Sequence, residues 1–205
     1  MHQRQIDILI GTQMLAKGHD FPGVTLVGVV LADTGIGLPD FRAAERTFQL
    51  LAQVAGRAGR ADRPGRVLIQ TYNPKHPAIV CACTHDYHGF AEGELRAREE
   101  LRYPPFSRLS ALRLDGEDPA EVRAAAERVA QAARAVMARA PSDAQLALLG
   151  PAEAPLSRLK GRTRWQVFVR SRSPRALRTV VSAAQRVELP AGVRLSLDVD
   201  PVSTL

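Results

Sequence analysis

The sequence predicts an α/β protein in two parts, and three observations support that class. In the first half, short continuous apolar runs alternate with helical stretches, which is typical of strands buried on both faces of a parallel sheet. The second half follows the order strand, helix, strand, strand, helix, strand. Between the halves, Pro104 and Pro105 cannot continue a helix. We therefore predict two domains, residues 1–105 and 106–205.

In the first half, three apolar runs predict strands and two periodic stretches predict helices. The strand predictions cover residues 7–10, 25–31 and 66–71. One helix is predicted from about Phe41 with Asp40 as its N-cap, and the other from about Tyr87 to Leu101. The predicted buried stripe of the first helix is Phe41, Ala44, Phe48, Leu51 and Ala55.

The second half predicts a ferredoxin-like domain, in which the element order is βαββαβ. The strand predictions cover residues 107–115, 145–149, 163–170 and 192–199. One helix is predicted from the N-cap Asp118 through Arg139, and the other from about Pro174. Apolar residues recur at i, i+3 and i+4 in both helices, so each should bury one face.

The positive charge is concentrated in the second half. The net charge is +7, and residues 106–205 carry 16 basic and 10 acidic side chains. Residues 154–187 contain nine basic residues and no acid, which indicates a polyanionic partner such as nucleic acid. An arginine-rich genome would explain why 25 of the 28 basic residues are arginine, but it would not explain the missing acids.

The remaining composition favours a soluble cytoplasmic protein without a metal site. No apolar stretch approaches the roughly 20 residues that span a bilayer, and the N-terminus lacks the apolar core of a signal peptide. Cys81 and Cys83 are too close for an easy disulfide and too few for a closed zinc site. We expect both to be small buried apolar residues.

Two short motifs carry potential chemistry. Residues 53–60 read Gln-Val-Ala-Gly-Arg-Ala-Gly-Arg, in which glycines let the backbone of each arginine approach a phosphate closely. The alternative is a glycine-rich surface turn with solvated arginines. Residues 12–20, which begin with Thr12 and end with Asp20, directly follow the first predicted strand. Ligand-binding loops of open α/β sheets lie at such strand ends.

Together these motifs resemble motifs V and VI of superfamily 2 helicases. Longer strings resemble one family more closely, that of the replication restart helicase PriA (primosomal protein N′). The strings are residues 10–22, 40–46, 53–60, 103–106, 150–151 and 198–201. The resemblance implies a partial RecA-like helicase lobe followed by the family's C-terminal domain. It also implies an ATP-dependent 3′→5′ DNA helicase that assembles the primosome at stalled forks.

The resemblance implies roles for individual residues. Arg60 matches the arginine finger, and Thr12 matches the motif V threonine that meets the DNA backbone. The positions near nucleotide are Gly18 and Asp20, and the motif VI positions are Gln53, Arg57 and Arg60. The implied cofactors are ATP and magnesium in a full-length parent, with zinc in a motif upstream of this chain. The implied partners are branched or forked DNA, single-stranded DNA-binding protein and primosome proteins.

The sequence also departs from a complete helicase. A P-loop lysine precedes serine or threonine, but Lys17, Lys75 and Lys160 do not. There is neither an Asp-Glu pair for a magnesium site nor a Cys-x2-Cys motif. We expect these elements upstream in a longer parent, and we expect this chain alone to be unable to hydrolyse ATP. The alternative is a non-catalytic DNA- or protein-binding scaffold.

Period-two alternation along residues 162–172 predicts a basic sheet face. The residues on that face are Arg162, Arg164, Gln166, Phe168, Arg170 and Arg172. Trp165 lies on the other face, which we expect both helices to cover, so the arginine face would be open to bind DNA with Phe168 stacking on a base. The alternative places a helix over the arginines. Arg175, at the start of the last helix, resembles a family position that contacts the acidic tail of single-stranded DNA-binding protein.

Overall fold

The computed structural model describes residues 6–13, 24–56 and 65–205. The chain divides into two compact units, Met1–Arg96 and Ala97–Leu205. The predicted domain boundary after residue 105 stays a prediction. The predicted α/β class is confirmed, because one unit holds a parallel sheet with helices and the other an antiparallel sheet with helices.

In the first unit, two parallel strands are followed by helices that pack together. Strands β1 (Leu26–Val29) and β2 (Arg66–Ile69) pair in register from Leu26 with Arg66 to Val29 with Ile69. The helices are α1 (Asp33–Ile36), α2 (Ala43–Ala55), α3 (Pro77–Cys83) and α4 (Tyr87–Glu100). Their core includes Leu51 and Ile79, and the rings of Phe48 and Phe90 stack 4.3 Å apart.

The predicted strand at residues 7–10 is wrong, because none of these residues is in a strand. Its apolar side chains are also exposed, with Ile10 at 90%. An apolar run indicates a need for burial, but a strand forms only beside a hydrogen-bonding neighbour. Within the described residues, β1 and β2 pair only with each other in this sheet.

Helix α2 begins at Ala43, two residues later than predicted, and Asp40 is not its N-cap. The carboxylate of Asp40 instead accepts the backbone N–H of Arg42 at 2.9 Å and the Nη1 of Arg46 at 2.8 Å. Arg42 therefore occupies the N-cap position, and its side chain makes no capping hydrogen bond. Of the predicted stripe, Phe48 and Leu51 are buried, but Phe41, Ala44 and Ala55 are only half-buried. Helix α4 matches its prediction closely.

The cysteine prediction is also partly wrong. Cys83 is exposed and Cys81 is half-buried against the core, because both lie in helix α3, in which only one face is covered. Ala78, Ile79 and Ala82 form that buried face. A short apolar run suggests uniform burial, but a helix turns part of such a run to solvent.

The second unit has the predicted ferredoxin-like order. Its strands are β3 (Arg108–Gly116), β4 (Ala147–Leu159), β5 (Arg162–Ser171) and β6 (Arg194–Val199). The sheet order is β4-β5-β3-β6, and all neighbours are antiparallel. Helices α5 (Pro119–Met137) and α6 (Pro174–Gln185) pack on one face of the sheet. That face supplies Leu112, Leu114, Val167 and Val169 to the core.

Local sequence signals explain both helix starts. Asp118 is the N-cap of α5 as predicted, because its carboxylate accepts the N–H groups of Ala120 and Glu121. Ser173 caps α6 in the same way, and Pro174 occupies the first helical position, where its missing N–H costs nothing. Strand β4 extends far beyond the predicted residues 145–149, through two register shifts along β5.

Candidate nucleic-acid interface

The helicase-like motifs lie mostly outside the described residues. This holds for Gly18, Asp20, Arg57 and Arg60, so their predicted roles at a nucleotide stay predictions. Gln53 lies in the last turn of α2, with its side chain exposed. Thr12 is also exposed and lies outside any helix or strand.

One carboxylate joins the ends of both strands in the first unit. Asp33, which follows β1, accepts the hydroxyl of Thr71 at 3.0 Å and the backbone N–H of Tyr72 at 2.9 Å, and both of these residues follow β2. The bond from the Tyr72 N–H is the largest cause that lowers the pKa of Asp33 below its usual range. Sequence reasoning missed this tie, since its partners are far apart along the chain.

The faces of β5 alternate as predicted. Val167 and Val169 are fully buried under the helices, and Trp165 packs against the same core. Arg164, Gln166, Phe168 and Arg170 pair across to β3 residues that point to the other face. Trp165 is therefore a core residue, as expected, and the arginines share the face that α5 and α6 leave uncovered.

That face is not open, which corrects the prediction. Leu109 and Ala111 point to it from β3, yet they are 1% and 0% exposed. The C-terminal segment covers part of it, since the Nη2 of Arg113 donates to the carbonyl of Ser203 at 2.7 Å and Pro201 is fully buried. The period-two pattern could not show this, because an irregular segment covers the face instead of a helix.

Two of the predicted DNA-binding arginines are used within the fold. The guanidinium of Arg170 donates to the carbonyl of Leu101 and lies 5.4 Å from the centre of the Tyr103 ring. Arg162 forms an ion pair with Asp115, and it also donates to the carbonyls of Asp115 at 3.0 Å and Gly192 at 3.2 Å. Neither guanidinium is free to hold a phosphate without losing these bonds.

The other cations of this region have no such partner. From residue 154 to residue 194, the cationic side chains without a hydrogen bond or ion pair to any described residue are Arg158, Lys160, Arg164, Arg172, Arg175, Arg178, Arg186 and Arg194. All are exposed except Arg164, which is half-buried. Sequence reasoning counted Arg158 and Lys160 in the basic run but did not assign them a site. The Lys160-Gly161 pair, which is typical of a turn between two strands, is the sequence signal that could have indicated a hairpin end here.

Three of these arginines surround the start of α6. Arg172 precedes the N-cap Ser173, Arg175 is the second residue of the helix, and Arg178 lies one turn further. The partial positive charge of a helix N-terminus adds to theirs and favours an anion. The structure thus places Arg175 where an anionic group could approach it from solvent.

These observations define a class: a two-unit α/β protein with a ferredoxin-like module that exposes unpaired arginines. Comparison with known families makes this more specific. A family model described as the primosomal protein N C-terminal domain matches residues 99–202. The chain therefore belongs to that family.

No three metal-ligating side chains come together among the described residues, and none of the described helices is long and apolar enough to span a bilayer.

Individual relatives agree with the family. A Replication restart protein PriA from Synechocystis sp. is 42% identical over 97% of this chain and 23% of its own length. Proteins of the same name from Bacillus subtilis and Treponema pallidum are 42% and 45% identical, over 95% and 98% of this chain. They are covered over 24% and 30% of their own lengths. The chain thus spans about a quarter of the relatives that it matches.

Proposed function

We propose that this chain is the C-terminal part of an ATP-dependent 3′→5′ DNA helicase that acts in replication restart and primosome assembly. The observation that carries the proposal is similarity over 97% of the chain to a relative named for replication restart. The unpaired arginines of the second unit support DNA as the substrate, because they offer phosphate contacts that the fold does not use. The proposed location is the cytoplasm.

In this proposal the first unit completes an ATP site. Arg60 is the arginine finger, Arg57 and Gln53 complete the motif, and Gly18 and Asp20 face the nucleotide. A guanidinium that reaches the γ-phosphate stabilises the charge that develops during hydrolysis. ATP, magnesium and zinc belong to a longer parent, in which other segments bind them.

The proposed DNA contacts change with the structure. Arg164 and Arg172 keep their roles because their side chains have no partner among the described residues. Phe168 stays a proposed contact, although its sheet face is partly covered. Arg162 and Arg170 are removed, because the fold already uses both guanidinium groups. Thr12 remains the proposed backbone contact of the first unit.

Substitution of the finger tests the enzymatic part of the proposal. In the full-length parent, Arg60→Ala should reduce DNA-stimulated ATP turnover on the order of a thousandfold, while DNA affinity stays nearly unchanged. Arg63→Ala removes the same charge from a neighbouring position and serves as the control. Equal turnover in both variants would show that Arg60 is not a finger.

The alternative function is a non-catalytic scaffold that binds DNA or protein. The free cations of the second unit favour it for this chain, because they need no ATP to bind a polyanion. The same assay decides between the two functions. A wild-type parent that binds DNA but shows no DNA-stimulated turnover would select the scaffold.

Arg175 is proposed to bind the acidic tail of single-stranded DNA-binding protein. A peptide with that tail sequence should bind the chain at least several-fold more weakly after Arg175→Ala, because one charge-assisted hydrogen-bonding partner is removed. Arg186→Ala, at the other end of α6, is the matched control. Unchanged peptide affinity in Arg175→Ala would remove this residue from the proposal, and a loss confined to DNA binding would assign it to DNA instead.

A further inference from the structure

The hairpin of β4 and β5 ends one residue pair and a turn beyond the neighbouring strand β3. Pairing between β3 and β5 ends at Gly116 with Thr163, whereas β4 and β5 continue to Leu159 with Arg162. Lys160 and Gly161 form the turn with φ values of 50° and 80°, the left-handed conformation that closes a tight two-residue hairpin. Residues 155–162, here called the hairpin arm, are the irregular end of β4, this turn and the first residue of β5.

The base of the arm is fixed, while its tip is exposed. Arg162 ties it to Asp115 of β3 and to the carbonyl of Gly192, and Ala154 is 6% exposed at its start. Between Glu153 and Arg158 the register shifts, so that several β4 residues face one residue of β5. Such bulges bend a strand and re-aim its side chains.

The tip combines unpaired cations with exposed leucines. Arg158 and Lys160 are exposed and have no partner among the described residues. Leu156 and Leu159 are 53% and 46% exposed. No acidic residue occurs from residue 154 to residue 187, so nothing on the arm itself offsets the positive charge. Exposure of two leucines at the end of a hairpin does not stabilise the fold, and a partner that covers them would explain their exposure.

We propose that the hairpin arm binds duplex DNA by entering a groove, with Arg158 and Lys160 on phosphates and the two leucines against sugars and base edges. The inference rests on the proposed function, since it takes DNA as the partner, and it adds a site outside the sheet face. The end of a β-hairpin, with strands about 4.8 Å apart, is narrow enough to enter the major groove, which is about 12 Å wide.

Single-stranded DNA fits the arm less well. Proteins that bind single strands stack the bases on aromatic side chains. Residues 155–162 include no aromatic residue. The nearest ones along β5 are Trp165, which packs in the core, and Phe168, which lies on the partly covered sheet face. Apolar aliphatic groups beside cations are instead suited to the sugars and base edges that line a groove.

The test compares duplex and single-stranded DNA by fluorescence anisotropy with the whole 205-residue chain. A short blunt duplex and an oligothymidine of equal length are titrated at salt concentrations from roughly 50 to 200 mM. The double variant Arg158→Ala/Lys160→Ala should lower the duplex salt slope by about 1.8, with about a tenfold or greater loss of affinity at low salt, and should affect the single strand much less.

Two further double variants distinguish DNA binding at the arm from a general effect of positive charge. Arg128→Ala/Arg139→Ala removes two exposed, unpaired cations in and after α5, and it should leave the duplex slope nearly unchanged. Leu156→Ala/Leu159→Ala should weaken duplex binding several-fold at an unchanged slope, because it removes apolar contacts and no charge. All six side chains are exposed, so circular dichroism should show unchanged folding.

The outcomes are distinguishable. Equal losses in the arm and α5 variants, or an equal or larger loss for the single strand, would overturn the arm as a duplex site while leaving DNA binding intact. A wild-type chain that binds neither form of DNA would remove DNA binding by this chain from the proposed function, and the arm proposal with it. Loss of duplex affinity in both arm variants alone supports the proposal.

Discussion

Arg162 and Arg164 are two residues apart on the same face of β5, yet the structure uses them differently. Arg162 is bound to Asp115 and to two backbone carbonyls, and its side chain is 22% exposed. Arg164 lies opposite Asp115 in the register, but its side chain makes no hydrogen bond or ion pair among the described residues. The same contrast separates Arg170, bound to Leu101, from the exposed Arg172.

The contrast shows that a basic stretch can contain two kinds of arginine. One kind stabilises the sheet by pairing with acids and carbonyls from distant parts of the chain. The other kind remains available to a polyanion, and it includes the residues around the start of α6 and on the hairpin arm. Counting charges in the sequence treats both kinds alike, so the two must be separated by measuring stability and binding together.

The largest expected difference is in stability. Arg162→Ala should lower the free energy of unfolding of the second unit by about 1–3 kcal/mol, because it leaves the Asp115 carboxylate and two carbonyls without their donor. Arg164→Ala should change it by less than about 0.5 kcal/mol. Urea unfolding followed by tryptophan fluorescence measures both, since Trp165 is the single tryptophan of the chain and lies in this unit.

A double-mutant cycle sharpens that result. Arg162→Ala and Asp115→Ala should couple by about 0.5–3 kcal/mol, because the two side chains contact each other directly. Arg164→Ala with Asp115→Ala should show little coupling, although these two residues are register partners. Equal coupling in both cycles would show that the distinction between bound and free arginines does not hold in solution.

A smaller effect is expected in DNA binding, where the roles are reversed. Substitution of unpaired arginines should change the binding, whereas substitution of Arg162 should not. Arg172→Ala/Arg178→Ala should lower the salt slope for DNA by about 0.7–0.9 for each phosphate that is no longer neutralised. Arg162→Ala, measured where it is still folded, should keep the wild-type slope, because its guanidinium is occupied. Salt titrations by anisotropy give both slopes, and a lowered slope for Arg162→Ala would contradict the assignment.

Much of the second unit could be predicted from its sequence, because its signals are local. Asp118 caps a helix beside it, and period two along β5 correctly places Trp165 in the core. What could not be predicted depends on distant residues. No local pattern reveals that Ser203 would meet Arg113, or that Leu101 would accept from Arg170. The prediction of an open arginine face is wrong for that reason.

The first unit shows the same limit in a different way. Residues 7–10 have the apolar composition of a buried strand, but no described neighbour pairs with them. Asp40 has the sequence position of an N-cap, but its carboxylate also meets Arg46, and the helix starts later. In both cases the sequence indicates a tendency, to burial for residues 7–10 and to helix capping for Asp40. The contacts available in the fold determine which structure forms.

The smallest expected effect concerns a carboxylate that the fold uses in the first unit. The pKa of Asp33 is lowered from a usual value of 3.8, chiefly by the Tyr72 N–H. A lowered folded pKa contributes stability above the unfolded pKa, and this contribution is lost as the pH falls through the folded pKa. Asp33→Asn should therefore melt at a lower temperature than wild type at neutral pH, and the difference should shrink below about pH 4.

Thermal unfolding and hydrogen exchange of the Tyr72 amide follow that difference across pH. Asp7→Asn is the control, since Asp7 is exposed and makes no hydrogen bond among the described residues, so its removal breaks no tie between strand ends. A pH-independent difference for Asp33→Asn would mean that the side chain acts through shape rather than charge. In that case Asp33 would differ from Arg162, and bound charges in this protein would not form a single class.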